Sequence, residues 1–137
     1  MRTIEVHIEV VSESWSLDQI SQALGMQPSP WSHSKGDEWI GSKMRVKWDE
    51  TSWKTEQIKV SVLSFNEIMQ GFKASGITFE HICDLARSCG LEVNVVAGCF
   101  TDAGNLSLYF DQSTLSSFSK LGANIEICFY ACSEMTE

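Results

Sequence analysis

Between Thr3 and Val11 the chain alternates strictly, with Ile4, Val6, Ile8 and Val10 on one side and Glu5, His7 and Glu9 on the other. A period of two sends successive side chains to opposite faces, so the segment reads as a strand with one buried and one solvated face. Such a sheet must bury its apolar face against another layer. The remaining sequence offers helices for that purpose. Ser14 or Ser16 can cap a helix carrying Leu17, Ile20, Ala23 and Leu24, and Gly25 supplies the left-handed residue that stops it. Thr78 precedes Phe79, Ile82, Leu85, Ala86 and Cys89 at helical spacing, with Gly90 as the stop. Asp111 or Ser113 heads a third such unit, with Leu115, Phe118 and Leu121 before Gly122.

Between these helices lie further strands. Met44, Val46 and Trp48 alternate with Arg45 and Lys47, which places Trp48 inward in the core. A turn at Asp49 to Ser52 leads to a strand over 53–60, and Asn66 to Lys73 has a helical pattern. Leu91 to Phe100 reads as a strand, Leu106 to Phe110 as another after a turn at 102–105, and Asn124 to Ala131 as the last. A strand, a serine-rich cap, a helix and a Leu-Gly stop occur near both ends. The order predicts one α+β domain over residues 1–137: a two-layer sandwich, its antiparallel sheet carrying helices on one face, ferredoxin-like with an elaborated middle.

Charge limits what this surface can meet. Eighteen acidic residues against ten basic ones give a net charge of −8. Such a surface repels phosphate backbones and anionic lipid, so neither nucleic acid nor membrane is an expected partner. It steers basic partners instead. The N-terminus has no uninterrupted apolar run of the kind a secretory leader needs. The five cysteines, Cys83, Cys89, Cys99, Cys128 and Cys132, are odd in number and absent from the first half, which suits reduced thiols in the cytoplasm.

Motifs for chemistry are absent. No cysteine or histidine spacing matches a zinc site, so no metal or other cofactor is expected. His81 and Cys83, two apart on a helix, point apart and cannot form a nucleophile–base pair. Cys89 shares a helical face with Ala86 and reads as core. The adjacent pairs Asp37-Glu38 and Asp49-Glu50 are solvated turn residues rather than carboxylates opposed across a cleft. No glycine-rich phosphate loop occurs.

The tryptophans carry the functional signal. Trp15, Trp31, Trp39, Trp48 and Trp53 all fall in the first 53 residues. Trp31 and Trp39 bracket a polar loop containing His33, Lys35, Asp37 and Glu38, where indoles either cover a core edge or anchor a partner. These six residues, Trp31, His33, Lys35, Asp37, Glu38 and Trp39, form the candidate site.

The order of several short motifs resembles the bacterial family known as domain of unknown function 4279. They are the opening strand, Leu24-Gly25 with prolines just after, Lys35-Gly36-Asp37, Arg45 with Trp48, Leu106-Ser107-Leu108, and Leu121-Gly122-Ala123-Asn124-Ile125-Glu126-Ile127. The correspondence runs nearly the full length. It departs over 60–76, and at Cys128, where that family usually has an acidic residue. The resemblance implies an α+β fold and a cytosolic setting, without an activity or catalytic residues. Small acidic proteins of this kind often serve as immunity partners in bacterial toxin systems.

Two functions remain open on these grounds. One is a non-enzymatic binding module, an immunity-type protein that binds a basic, toxin-like protein through the tryptophan loop. The other is a small-ligand receptor or enzyme with a pocket under the Trp31–Trp39 loop, using His33 and Asp37 as polar groups.

Overall fold

The computed structural model describes residues 2–41, 43–101 and 109–131. The alternating N-terminal segment is β1 (Arg2–Ser12), an interior strand of the main sheet. One edge of β1 pairs antiparallel with β4 (Thr51–Lys54) and β5 (Ile58–Val60). Its other edge pairs antiparallel with β6 (Glu92–Thr101) over ten residues. β7 (Ala123–Ala131) completes the sheet beside β6. A separate two-stranded ribbon is formed by β2 (Glu38–Ile40) and β3 (Arg45–Lys47).

Parity decides the faces. Ile4, Val6, Ile8 and Val10 are at most 2% exposed, and Trp53, Ile58, Val60, Val93, Val95, Ala97 and Cys99 join them on the same face. Four helices cover it: α1 (Leu17–Leu24), α2 (Phe65–Ala74), α3 (Phe79–Cys89) and α4 (Gln112–Lys120). Ile20, Leu24, Ile68, Phe72, Phe79, Ile82 and Phe118 reach from those helices into the same core. Phe79 and Phe118 meet edge to face at 5.8 Å, and Phe65 meets Phe118 likewise at 4.9 Å, which locks the helical layer to itself. The architecture is the expected α+β sandwich.

The helix ends follow local chemistry. Ser16 caps α1 in a reciprocal box with Gln19, and Gly25 takes φ +68° behind it. Asp111 caps α4 by accepting from the Thr114 N–H at 2.7 Å, a bond that holds its carboxyl below the usual range. Thr78 precedes α3 without a side-chain cap. The buried stripe of α3 is Phe79, Ile82, Cys83 and Ala86, so Cys83 rather than the half-buried Cys89 is the core thiol.

Three expectations need correction. The sheet is not antiparallel throughout, because β6 and β7 run parallel, joined through α4. The topology is not ferredoxin-like. That order would pair the two middle strands as neighbours, whereas β5 and β6 lie on opposite sides of β1. The physical cause is the pair α2 and α3 between them, which carries the chain across the covered face before it re-enters the sheet. The strand expected over 53–60 is broken at 55–57. Opposite His7 and Ile8 of β1, the edge places three residues, Thr55 to Gln57, so the break holds one extra residue, as in a bulge. Thr55 closes it: its N–H donates to the Ile8 carbonyl at 3.0 Å and its Oγ1 accepts from the Ile8 N–H at 3.0 Å. The strand expected over 106–110 falls mostly outside the described residues.

The second face of the sheet carries a row of hydrogen bonds across four strands. Ser52 of β4 donates to Glu9 of β1, Asn94 of β6 donates to Glu9 at 3.1 Å, and Asn124 of β7 donates to Asn94 at 3.2 Å. Among the described residues no helix is long and apolar enough to cross a membrane.

Two substitutions test this account. Trp53 is fully buried and its indole N–H donates to Ser21 Oγ at 3.1 Å. Ser21→Ala orphans that donor, and urea denaturation should show a loss of about 1–3 kcal/mol. Thr55→Val removes the acceptor for the Ile8 N–H at the bulge and should cost a similar ~1–3 kcal/mol in the same measurement.

Candidate functional site

The loop between α1 and β4 is tied to β4 over residues 29–35. Ser29 N–H donates to the Lys54 carbonyl at 2.8 Å, and Lys54 N–H donates to Ser32 Oγ at 2.8 Å. His33 and Ser52 exchange two backbone bonds at 3.0 and 2.9 Å, and Lys35 N–H donates to Thr51 Oγ1 at 2.9 Å. Residues 29–35 thus run along the outer side of β4 and cover an edge that would otherwise present bare backbone groups.

Beyond Lys35 the chain turns away into the β2–β3 ribbon. Gly36 adopts φ +91°, which admits the turn, and its N–H donates to the Trp48 carbonyl at 2.9 Å. The Trp48 N–H donates to the Asp37 carbonyl at 3.0 Å, extending the ribbon by one more pair. Asp37 Oδ2 accepts from the Ser34 N–H at 2.8 Å. Trp39 folds back over Gly41, where a Cβ would stand 2.4 Å from the end of the indole.

This arrangement borders an open cavity of about 470 Å³ whose lining includes Trp31, His33, Asp37, Glu38, Trp39 and Trp48. Five of the six sequence candidates therefore converge. Lys35 does not: it faces a neighbouring recess beside Trp15 and the start of α1. Trp48, expected in the core, instead belongs to the cavity. It is 36% exposed and stacks on His33 with ring centres 4.0 Å apart and planes 14° apart. Trp31 and Trp39 are 45% and 51% exposed, so the loop does not fold them over the core.

Electrostatics set the state of His33. Burial lowers its pKa from the ordinary 6.5, and the Lys54 ammonium lowers it further, against the opposing pull of Asp37, Glu9 and a hydrogen bond to the Glu50 carbonyl. The imidazole is neutral at neutral pH and meets Trp48 as an uncharged ring. His7, across the edge on β1, is lowered by the same two causes, burial first and Lys54 second. Glu38 lies 3.7 Å from the Arg45 guanidinium, both side chains largely exposed.

Other reactive groups lie elsewhere. Burial pushes the Cys83 thiol up to about 11, which keeps it protonated and unreactive. Among the described residues no group of three or more histidine, cysteine or carboxylate side chains could hold a metal ion. A narrower apolar groove of about 370 Å³ lies between α2 and α3, at Met69, Ile77 and Phe79.

Gly41→Ala should displace the Trp39 ring, shifting its indole signal in NMR while the melting temperature changes little, because the ribbon adds nothing to the core. The histidines give a pH test. Their folded pKa lies below the unfolded one, so the unfolded chain takes up protons more readily. The stability this confers is complete above about 6.5 and is lost as pH falls through the window beneath it. Lys54→Met removes a shared cause. Proton titration by NMR should place both histidine midpoints higher in that variant, with a shallower fall of melting temperature from pH 7.5 to pH 5.

Comparison with known proteins gives one match. A family model described as Domain of unknown function (DUF4279) matches residues 2–132. No curated protein and no solved structure matches.

Proposed function

The chain belongs to the family of Domain of unknown function (DUF4279), and from that premise we propose that it is a binding module without catalytic activity, a cytosolic immunity-type protein that blocks a basic, toxin-like partner. One observation carries this reading: three half-exposed tryptophans share a single cavity, Trp31 on a segment pinned to β4 and Trp39 and Trp48 on the hydrogen-bonded ribbon that follows it. Indoles open to water offer a partner a large area to bury, and rigid aromatic rings lose little entropy on binding. The pinned backbone limits what must be ordered when a complex forms. Asp37 and Glu38 at the rim, with the net charge of −8, favour a basic surface and speed its approach.

The histidine in the cavity supports binding over catalysis, since its ring is already engaged by Trp48 and by the Glu50 carbonyl. A second reading, a small-ligand receptor that uses His33 and Asp37, is favoured by the volume, which lies within the roughly 300–1,000 Å³ typical of ligand pockets. A thermal-shift screen with metabolites separates the two, because a ligand specific to the folded state must raise the melting temperature.

Calorimetry against the products of neighbouring genes tests the first reading. The double variant Trp31→Ala/Trp39→Ala should weaken the complex by about a hundredfold or more. Its melting temperature should stay within about 3 °C of the parent. Absence of any complex at micromolar concentration with every such product refutes the proposal.

A further inference from the structure

We infer that the tryptophan cavity is a receptor for the guanidinium of an arginine side chain presented by a protein partner; the inference rests on the binding-module reading and names what that module grips. Three features of the cavity converge on a planar cation. Trp31 and Trp39 supply indole rings, the aromatic group with the strongest attraction for a cation over its face, and Trp48, stacked on His33 through one face, closes the wall beside them. Asp37 and Glu38 supply carboxylates on the same wall. Ser34 anchors Asp37 Oδ2, which fixes the carboxyl group and leaves Oδ1 without a donor among the described residues.

Arginine suits this combination better than lysine. Its flat, weakly hydrated guanidinium stacks on an indole while its N–H fork engages a carboxylate, which an ammonium cannot do together. Glu38 already has a guanidinium at its side, that of Arg45 at 3.7 Å, but both side chains are largely exposed, at 66% and 41%. An exposed pair of that kind holds little free energy and can yield to an incoming arginine. His33 adds no competing positive charge, because burial and Lys54 keep it neutral at neutral pH. An anionic group would meet the two carboxylates of this wall as like charges.

The test uses the full chain and two blocked tripeptides, acetyl-Gly-Arg-Gly-amide and its citrulline counterpart, which has nearly the same shape without the charge. Indole N–H signals are followed by NMR at low salt. The arginine peptide should shift the Trp31, Trp39 and Trp48 signals saturably, and the citrulline peptide should bind at least about fivefold more weakly. Asp37→Asn should weaken the arginine peptide by about threefold or more. Trp39→Ala should abolish the shifts at Trp31 and Trp48 without lowering the melting temperature. Equal binding of the two peptides, no shift with either, or shifts that survive Trp39→Ala overturns the inference. The two readings fail separately. A neighbouring gene product that binds the parent but not Trp31→Ala/Trp39→Ala, alongside silent peptides, keeps the module and removes the arginine. Charge-selective peptide binding without any protein complex keeps the cavity's preference and removes the proposed partner.

Discussion

β1 is hydrogen-bonded along both edges, to β4 and β5 on one side and to β6 on the other, and the rest of the molecule is arranged around that pair of ladders. Its apolar face sets where the helices must lie, since Ile4, Val6, Ile8 and Val10 form a continuous strip that only a second layer can cover. Its polar face is organised too, with Glu9 accepting from Ser52 on one neighbour and Asn94 on the other. Removing the alternation in this one segment would take away a core face, a sheet centre and the middle of the polar row together.

The position of the cavity follows from the same strand. β4 pairs with β1 on its inner side, so its outer side needs cover, and residues 29–35 provide it with backbone and serine groups rather than another strand. With those groups satisfied, the serines stay tucked against β4 and Trp31 is left open to water. The ribbon that follows pairs only with itself, so Trp39 and Trp48 have no sheet to pack against and line the cavity instead. Lys54 stands at the junction, close enough to depress both His7 and His33.

Much of this was legible in the residues, and the failures have physical reasons. Period-two and helical spacing fix which face a side chain takes, so β1, α1, α3 and α4 are legible, with side-chain caps at Ser16 and Asp111 and glycine stops after all three helices, but no side-chain cap at Thr78. Those patterns carry no information about strand order, which is why the passage of α2 and α3 over the sheet, and the parallel β6–β7 pair behind α4, went unforeseen. The break at Thr55 is one residue of register, invisible to an alternation count. At the cavity, the crowding of tryptophans and the charged loop identified five lining residues. Parity with Val46 points Trp48 inward, but parity has meaning only in a strand that joins a buried sheet, and β3 does not. Its signal was the pair of charges on either side, Lys47 and Asp49. Sequence proximity alone groups Lys35 with the site, whereas the turn at Gly36 separates it from the cavity.

Among the described residues, none between Gln27 and Glu50 belongs to the hydrophobic core or packs against it. The pins at Ser29, His33 and Lys35 hold one end of that stretch to β4, and the chain enters β4 itself at the other. Mutations there are consequently spared the packing penalties that restrain the sandwich, and a change that refits the ribbon to a new surface has no folding defect to overcome. The tryptophan surface can therefore change in sequence while the sandwich behind it keeps its packing.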